Sequence, residues 1–342
     1  MIQATDLLPE SDERLAQRVS ALLVCPMCKG KLKVGCHQWV CDRCQAVFFE
    51  EDGIPVMLPP NLPPFKAIES RAHTEIAEDY ERLVQFHSWV SLHSHSWVLA
   101  ELATIPSDAL ILDVGCGPGR DGIVLMRRGK SVVETDISLG MVKKAHDNTL
   151  MAGLSSRGYH LVMDAEHISF PPHVFDAVLI FATLHHLMNP TKGLGQIVEC
   201  LKPGGLLVVG MEPNTWYYRL VRPLGKIVER LTVPWSKKDH PVRTRSIAEA
   251  TTTGFSKRRL LQLAAQTDLS VVKIEPIWFL TGFAQLFVQA SARIGNRDLK
   301  LGAGLGKLLI RVDEWIGNIP IVNHYPWHWN LVAVKKDQAE SI

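Results

Sequence analysis

The sequence predicts an α/β fold: a mostly parallel sheet with helices on both faces, a small metal-held unit in front and an apolar helical insertion near the end. Three observations predict it. The run LILDVGCGPGR, Leu110 to Arg120, is an apolar strand, a tight glycine turn and a helix start in one reading frame. Beyond it, strand-like and helix-like stretches alternate as far as Met211, which is how parallel strands joined by crossover helices read. Ahead of it lie two C-x-x-C pairs, Cys25 with Cys28 and Cys41 with Cys44, twelve residues apart.

The whole chain sets broad bounds. Its 342 residues suit one large domain with additions, or two domains. A net charge of +2 says little about partners. The first residues, Met1 to Gln17, are acidic and lack the apolar core of a signal peptide. The longest apolar stretch, Pro276 to Ala292, contains Gln285 and Gln289 and is short for a membrane span. A cytoplasmic protein is therefore expected, and peripheral attachment to a membrane stays open. Seven cysteines, four of them in C-x-x-C pairs, fit metal binding in a reducing compartment better than disulfides.

In chain order, a short helix or loose tail comes first. In residues 1–58 each C-x-x-C pair forms a turn that aims two thiolates at one point. Four thiolates make a closed tetrahedral zinc site, with iron as the alternative. So short a segment cannot bury a sufficient core unaided, so the metal would hold it. Cys36 and His37, in the gap, are spare ligands or a solvated hairpin tip. The stretch 59–64 (PPNLPP) reads as a stiff linker and domain boundary. Residues 65–105 read as one or two amphipathic helices, with Tyr80, His87, His93 and His95 as polar candidates. In the core, Asp113 ends the first strand, and Gly115, Gly117 and Gly119 let a ligand approach the backbone closely. The helix that follows offers free N–H groups to it. Asp136 ends the second strand, where an acid can accept both ribose hydroxyls of an adenosyl group. Asp164 and Ala165 follow the third strand, His185 and His186 the fourth, and Glu212 the fifth. Cys116, within the turn, reads as a small packing residue and Cys200 as a buried one.

Met211 onward is different in character. Lys and Arg outnumber Asp and Glu by 19 to 11, and six of the nine tryptophans fall here. Helical insertions are expected near 212–250, including the basic-aromatic run Trp216 to Trp235 with Arg219, Arg222, Lys226 and Arg230, and near 276–326. The second separates two hairpin strands, and Trp278, Phe279, Phe283 and Phe287 recur in it at helical spacing. Such a segment suits first a lid or apolar-substrate pocket, second a membrane surface, third RNA.

The ordered set D-x-G-x-G-x-G, V-x-x-x-D-x-S, D-A-E, F-D-x-V, L-H-H-L and L-K-P-G-G, between Leu99 and Gly210, resembles the class I S-adenosylmethionine-dependent methyltransferases. A nicotinamide-binding sheet, which prefers G-x-G-x-x-G, is the alternative. The resemblance implies a seven-stranded sheet over residues 65–342, with Asp113 and the glycines around the methionine moiety, Asp136 on the ribose and Asp164 near the adenine amine. Glu134 stands where a small residue is usual and could share the ribose role. CPMCKGKL and EEDGIPVML resemble the small zinc-ribbon family that activates several tRNA and protein methyltransferases. A proton-removing base, His186 first and His185 second, suits a hydroxyl or enolisable-carbon acceptor, and lining the pocket or capping a helix is the competing role. The function expected is methyl transfer to a hydrophobic small-molecule or lipid-linked acceptor. The alternatives are an rRNA or tRNA methyltransferase that uses the ribbon for recognition, and a scaffold without chemistry. Oligomeric state is not legible.

Overall fold

The computed structural model describes residues 10–80, 89–221, 223, 246–295 and 302–337. His87, Arg222, Lys226, Arg230, Trp235 and most of the expected 212–250 insertion lie outside the described residues.

One mixed sheet runs through the molecule. Its strands are β1 (Leu32–Gly35), β2 (Gln38–Cys41), β3 (Val47–Glu51), β4 (Ile54–Met57), β5 (Leu110–Val114), β6 (Ser131–Asp136), β7 (Gly158–Met163), β8 (Phe175–Phe181), β9 (Leu201–Pro213), β10 (Leu269–Ile277) and β11 (His328–Lys335). They lie in the order β1-β2-β3-β4-β7-β6-β5-β8-β9-β11-β10. The last seven in that order form the expected α/β sheet: β7 through β9 are parallel, and β11 is antiparallel to both β9 and β10. Residues 65–342 supply the seven strands expected of them, but the sheet as a whole has eleven, because the ribbon strands extend it. The four N-terminal strands join the same sheet because β4 pairs in parallel with β7, Val56 beside Val162 and Met57 beside Met163. That pairing spans about a hundred residues of chain, and no local pattern in either strand encodes it.

The parallel strands are apolar throughout because helices cover both faces; all five residues of β5 are buried. The helices are α1 (Glu10–Leu22), α2 (Pro64–Ile76), α3 (Trp89–Leu102), α4 (Arg120–Arg127), α5 (Leu139–Met151), α6 (Pro190–Cys200), α7 (Ile247–Thr251), α8 (Lys257–Ala265), α9 (Leu280–Gly295) and α10 (Ala303–Gly317). Local chemistry sets several of their starts. Proline occupies the first turn of α2 and of α6, where its missing N–H has no intrahelical partner to lose. Side chains of Ser138 and Asn189 accept from Met141 N and Lys192 N to cap α5 and α6. Helices α9 and α10 occupy the stretch between β10 and β11. Buried Asp313 of α10 accepts from the N–H groups of Phe279, Leu280 and Thr281, which locks the two helices together.

The main apolar cluster ignores the boundary suggested by PPNLPP. Leu15, Val19, Leu23, Cys25, Trp39, Cys41, Phe48 and Met57 share it with Leu110, Leu112 and Ile180. Val24 N donates to Ser169 O at 2.9 Å, and Lys29 Nζ donates to Ile168 O at 2.6 Å. Segment 59–64 thus connects two parts that are packed together.

Candidate active site

The glycine turn sits at the carboxyl end of the sheet. Gly115, Gly117 and Gly119 all have left-handed φ, at 74°, 54° and 78°, where a side chain is strained. Gly115 N donates to Thr135 O at 2.7 Å and Gly117 N to Asp136 Oδ2 at 3.2 Å, tying the turn to β6. Gly119 and Gly122 answer a packing need: a Cβ on Gly122 would lie 2.0 Å from Glu134 Oε1. Glu134 is therefore beneath the turn, fully buried and lining neither cavity described below. It contacts His160 Nε2 at 2.7 Å. Burial raises its carboxyl well above the usual range and lowers His160 to about 4, so the two form an uncharged hydrogen-bonded pair. A ribose role for Glu134 is excluded by this position.

Two cavities meet across the turn and share Tyr80, Gly115, Gly117, Phe181 and Ala182. The first contains Asp136, Asp164 and Ala165 together with Phe65 and Lys66 of α2 and Met141 of α5. Asp136 Oδ1 accepts from Ser138 N at 2.9 Å, which fixes the carboxylate at the cavity edge. Asp164 is held by Lys66 Nζ and His167 Nδ1, each at 2.6 Å, and by Glu166 N at 3.1 Å. Burial opposes its charge, but these three partners keep it below the usual carboxylate value.

His186 also lines the first cavity. Its Nδ1 lies 3.2 Å from Glu69 Oε2, and His73 Nε2 lies 3.7 Å from the same oxygen. Burial disfavours charge on Glu69, yet His186, His73, Ala248 N and Ser246 hold it far below the ordinary carboxylate range. Sequence reasoning missed Glu69 and His73. Both read as ordinary polar positions of an amphipathic helix, and only the fold brings them to a residue 117 positions on.

The second cavity is more aromatic. Phe181, Tyr217, Tyr218, Trp278 and His328 face it, with Ser94, His95, Arg120, Asp121, His185 and Gln285. Asp113 lines it too, and burial together with Asp121, Glu134 and Asp136 pushes its carboxyl well above the usual range. Burial and the three neighbouring carboxylates thus favour its neutral form, and a positive charge placed beside it would favour the ionised one. His95 Nδ1 meets both oxygens of Asp121 at 2.8 Å, and its ring stacks on Phe181 at 4.1 Å. His185 Nδ1 lies 3.0 Å from Glu212 Oε2. Glu212 also accepts from the N–H groups of Thr183, Leu184 and His185, so it is a fixed anchor for that ring. His93 lines neither cavity. Cys116 lines the second, with burial raising its thiol well above the ordinary value, which leaves it unreactive.

The expected apolar face of α9 is redistributed. Trp278 and Gln285 face the second cavity, Phe279 is buried, and Phe283 and Phe287 point outward at 50% and 69% exposure. The i, i+4, i+8 spacing of Phe279, Phe283 and Phe287 was legible, but the side facing the cavity is set by the Asp313 clamp, which no spacing reveals.

At the N-terminal end the four thiols converge. Cys25 Sγ lies 3.6 Å from Cys44 Sγ, and Cys28 Sγ lies 3.4 Å from Cys41 Sγ. All four lie within 4.8 Å of one another. Tetrahedral zinc with Zn–S bonds of about 2.3 Å needs sulfurs roughly 3.8 Å apart, so the donor set fits the ion. Burial raises Cys25 to about 12. In Cys41 burial is outweighed by the N–H groups of Cys44 and Arg43 and by neighbouring thiols, which bring it to about 7. Cys36 is exposed and His37 contacts Glu50 at 3.2 Å, both away from the thiols.

Residues 112–209 match the family described as a methyltransferase domain. This stretch, from β5 to β9, is what the chain shares with methyltransferases. Among relatives, the chain is 29% identical over 145 residues to a demethylmenaquinone methyltransferase of Thermobifida fusca, covering 41% of this chain and 59% of that one. It is 31% identical over 116 residues to a ubiquinone/menaquinone biosynthesis C-methyltransferase of Methylococcus capsulatus, covering 33% and 46%. It is 30% identical over 124 residues to a malonyl-[acyl-carrier protein] O-methyltransferase of Salmonella typhimurium, covering 36% and 47%. The chain spans about half the length of these curated relatives. The structure of Haemonchus contortus phosphoethanolamine N-methyltransferase 2 in complex with S-adenosyl-L-methionine superposes with a TM-score of 0.54 at 16% identity, covering 98% of this chain and 76% of that one. This likeness concerns the fold alone.

Proposed function

We propose that the protein transfers a methyl group from S-adenosylmethionine to a hydrophobic small-molecule or lipid-linked acceptor. The observation that carries this reading is the meeting of two cavities at the glycine turn, one bounded by Asp136 and Asp164 and the other by aromatic rings. When bound, S-adenosylmethionine supplies a sulfonium methyl that leaves with no electrons, so little chemistry beyond alignment is asked of the protein. Asp136 would accept from the ribose, and Asp164 with Ala165 would border the adenine. Gly115, Gly117 and Gly119 would admit the methionine chain, and Asp113 would meet its positive charge, which offsets the burial that now disfavours a carboxylate. Phe181, Tyr217, Tyr218 and Trp278 would bind a flat or apolar acceptor in the second cavity.

For an acceptor that must lose a proton, we assign the base to His185 ahead of His186. Its ring is buried, lines the acceptor cavity and is oriented by Glu212 at 3.0 Å. With Nδ1–H donating its hydrogen bond to Glu212, Nε2 would be left as the basic atom. Relatives named for quinone and acyl-carrier substrates agree with a hydrophobic acceptor, and no observation favours RNA. A source at a membrane surface fits the exposed Leu305, Leu308 and Trp315 of α10 beside Lys307 and Arg311, and no helix among the described residues is long and apolar enough to cross a membrane. Cys25, Cys28, Cys41 and Cys44 would hold a structural zinc, with residues 1–58 as a ribbon docked on a methyltransferase unit of residues 65–342.

The test is calorimetric binding of S-adenosylmethionine, followed by transfer of labelled methyl to quinols, lipid extracts and bulk RNA. Asp136→Ala should cost about 1.5–3 kcal/mol of cofactor affinity through a lost charge-assisted bond. Unchanged affinity sinks the ribose assignment, and salt-sensitive labelling of RNA sinks the acceptor class.

A further inference from the structure

Glu69 and His73 are one helical turn apart on α2, and His186 reaches them from the turn after β8. Glu69 Oε2 lies 3.2 Å from His186 Nδ1 and 3.7 Å from His73 Nε2, and the imidazole rings are 5.4 Å apart at 67°. One donor atom from each of the three lies within 4.8 Å of the others. Two imidazoles and one carboxylate on one side of a cavity are the donor set that transition-metal dications take facially, with the remaining positions left to water or substrate. The Glu69 side chain is only 5% exposed. Its Oε1 accepts from Ala248 N at 2.9 Å and its Oε2 from Ser246 Oγ at 2.8 Å. Outer bonds of this kind orient a ligating carboxylate. All three side chains line the first cavity, so a bound ion would face whatever occupies it.

We propose that Glu69, His73 and His186 bind one divalent transition-metal cation at the wall of the first cavity, separate from the four-thiol site. The purpose rests on the methyltransferase reading: an ion on the wall of the first cavity would present its open positions to oxygens of the bound cofactor and help to order it there. The binding itself does not rest on that reading. The competing structure is a plain hydrogen-bonded latch, in which protons on the two histidines point at Glu69 and no lone pair is offered to an ion.

Manganese(II) separates the two, because it prefers nitrogen and oxygen donors and binds thiolates poorly. Titration of the full chain with Mn²⁺, following the free-ion signal by electron paramagnetic resonance, should show one ion bound per chain. His73→Ala and Glu69→Gln should each weaken it at least tenfold, His73→Asp should restore it to within a few-fold of wild type, and Cys41→Ser should leave it unchanged. His73 is half-buried, and the melting temperature of each variant verifies that it is folded. No uptake by wild type, or equal uptake by His73→Ala, overturns the site. Calorimetry with S-adenosylmethionine on the same samples keeps the readings apart. Cofactor binding without manganese uptake removes the metal site alone, and manganese uptake without cofactor binding removes the methyltransferase reading alone.

Discussion

The N-terminal strands and the central strands belong to one sheet but are held together by different forces. In β5 all five residues are buried, whereas β1 has one half-buried residue and three exposed ones. Central strands gain stability from apolar area removed from water on both faces, at about 25 cal/mol per Å². The ribbon strands bury less of it, and the zinc proposed between their four converging thiols would make up the difference. The comparison teaches that membership of a sheet says little about what holds a strand there. β4 and β7 are neighbours by two residue pairs, yet on one side lie short strands beside four converging thiols and on the other a close-packed core.

The sharpest way to break the comparison is Cys41→Ser. With three thiols left, the metal should be lost, and structural zinc is worth on the order of 10 kcal/mol to so small a unit. Hydrogen exchange should show β1 to β4 losing protection while β5, β6 and β8 keep theirs; loss of all strands at once would mean that the ribbon is integral to the core. Next in size, Leu112→Ala, fully buried in β5, should destabilise the whole chain by about 2–5 kcal/mol in a single transition, seen by denaturant melts. A separate ribbon transition would show that the two parts are less coupled than their shared apolar cluster requires.

Asp113→Asn sharpens the contrast between stability and site. Because burial raises the folded-state pKa, the folded chain binds a proton that the unfolded chain has released. Wild type should therefore lose stability as pH rises above the unfolded value near 3.8, through the folded pKa, and the variant should lack that loss. Cofactor affinity should fall about tenfold or more in the variant. Thermal melts from pH 4 to 8 with parallel calorimetry read both, and parallel pH curves for the two proteins refute the assignment. The smallest effect is expected for Phe283→Asp. The ring is half-exposed and meets Trp327 edge-on at 5.0 Å, so a loss of about 0.5–1.5 kcal/mol with unchanged cofactor affinity is expected. Loss of cofactor binding would place Phe283 in the cavity wall after all.

What the sequence revealed was local. Leu110 to Arg120 showed strand, turn and helix because glycines and apolar runs act over a few residues, and the C-x-x-C pairs carry their geometry with them. Asp136, Asp164 and His186 could be singled out because each follows a readable strand, and all three line the first cavity. What stayed hidden was long-range. The β4–β7 pairing, the Glu69–His186 contact and the Asp113–Asp121–His95 grouping depend on how distant elements pack. Glu134 misled because the charge was visible and its burial was not.

The β4–β7 pairing also decides where the sheet stops. Without the ribbon, β7 would be the border strand, and its sequence GYHLVM is long, flat and apolar, with a row of backbone groups able to template another chain. With the ribbon in place, the border moves to β1, four residues long, carrying Lys33 and mostly exposed. Short charged borders resist edge-to-edge association. The four N-terminal strands thus hem the sheet, and if the proposed zinc holds them there, a chelator would expose β7 as a strand able to pair with other copies.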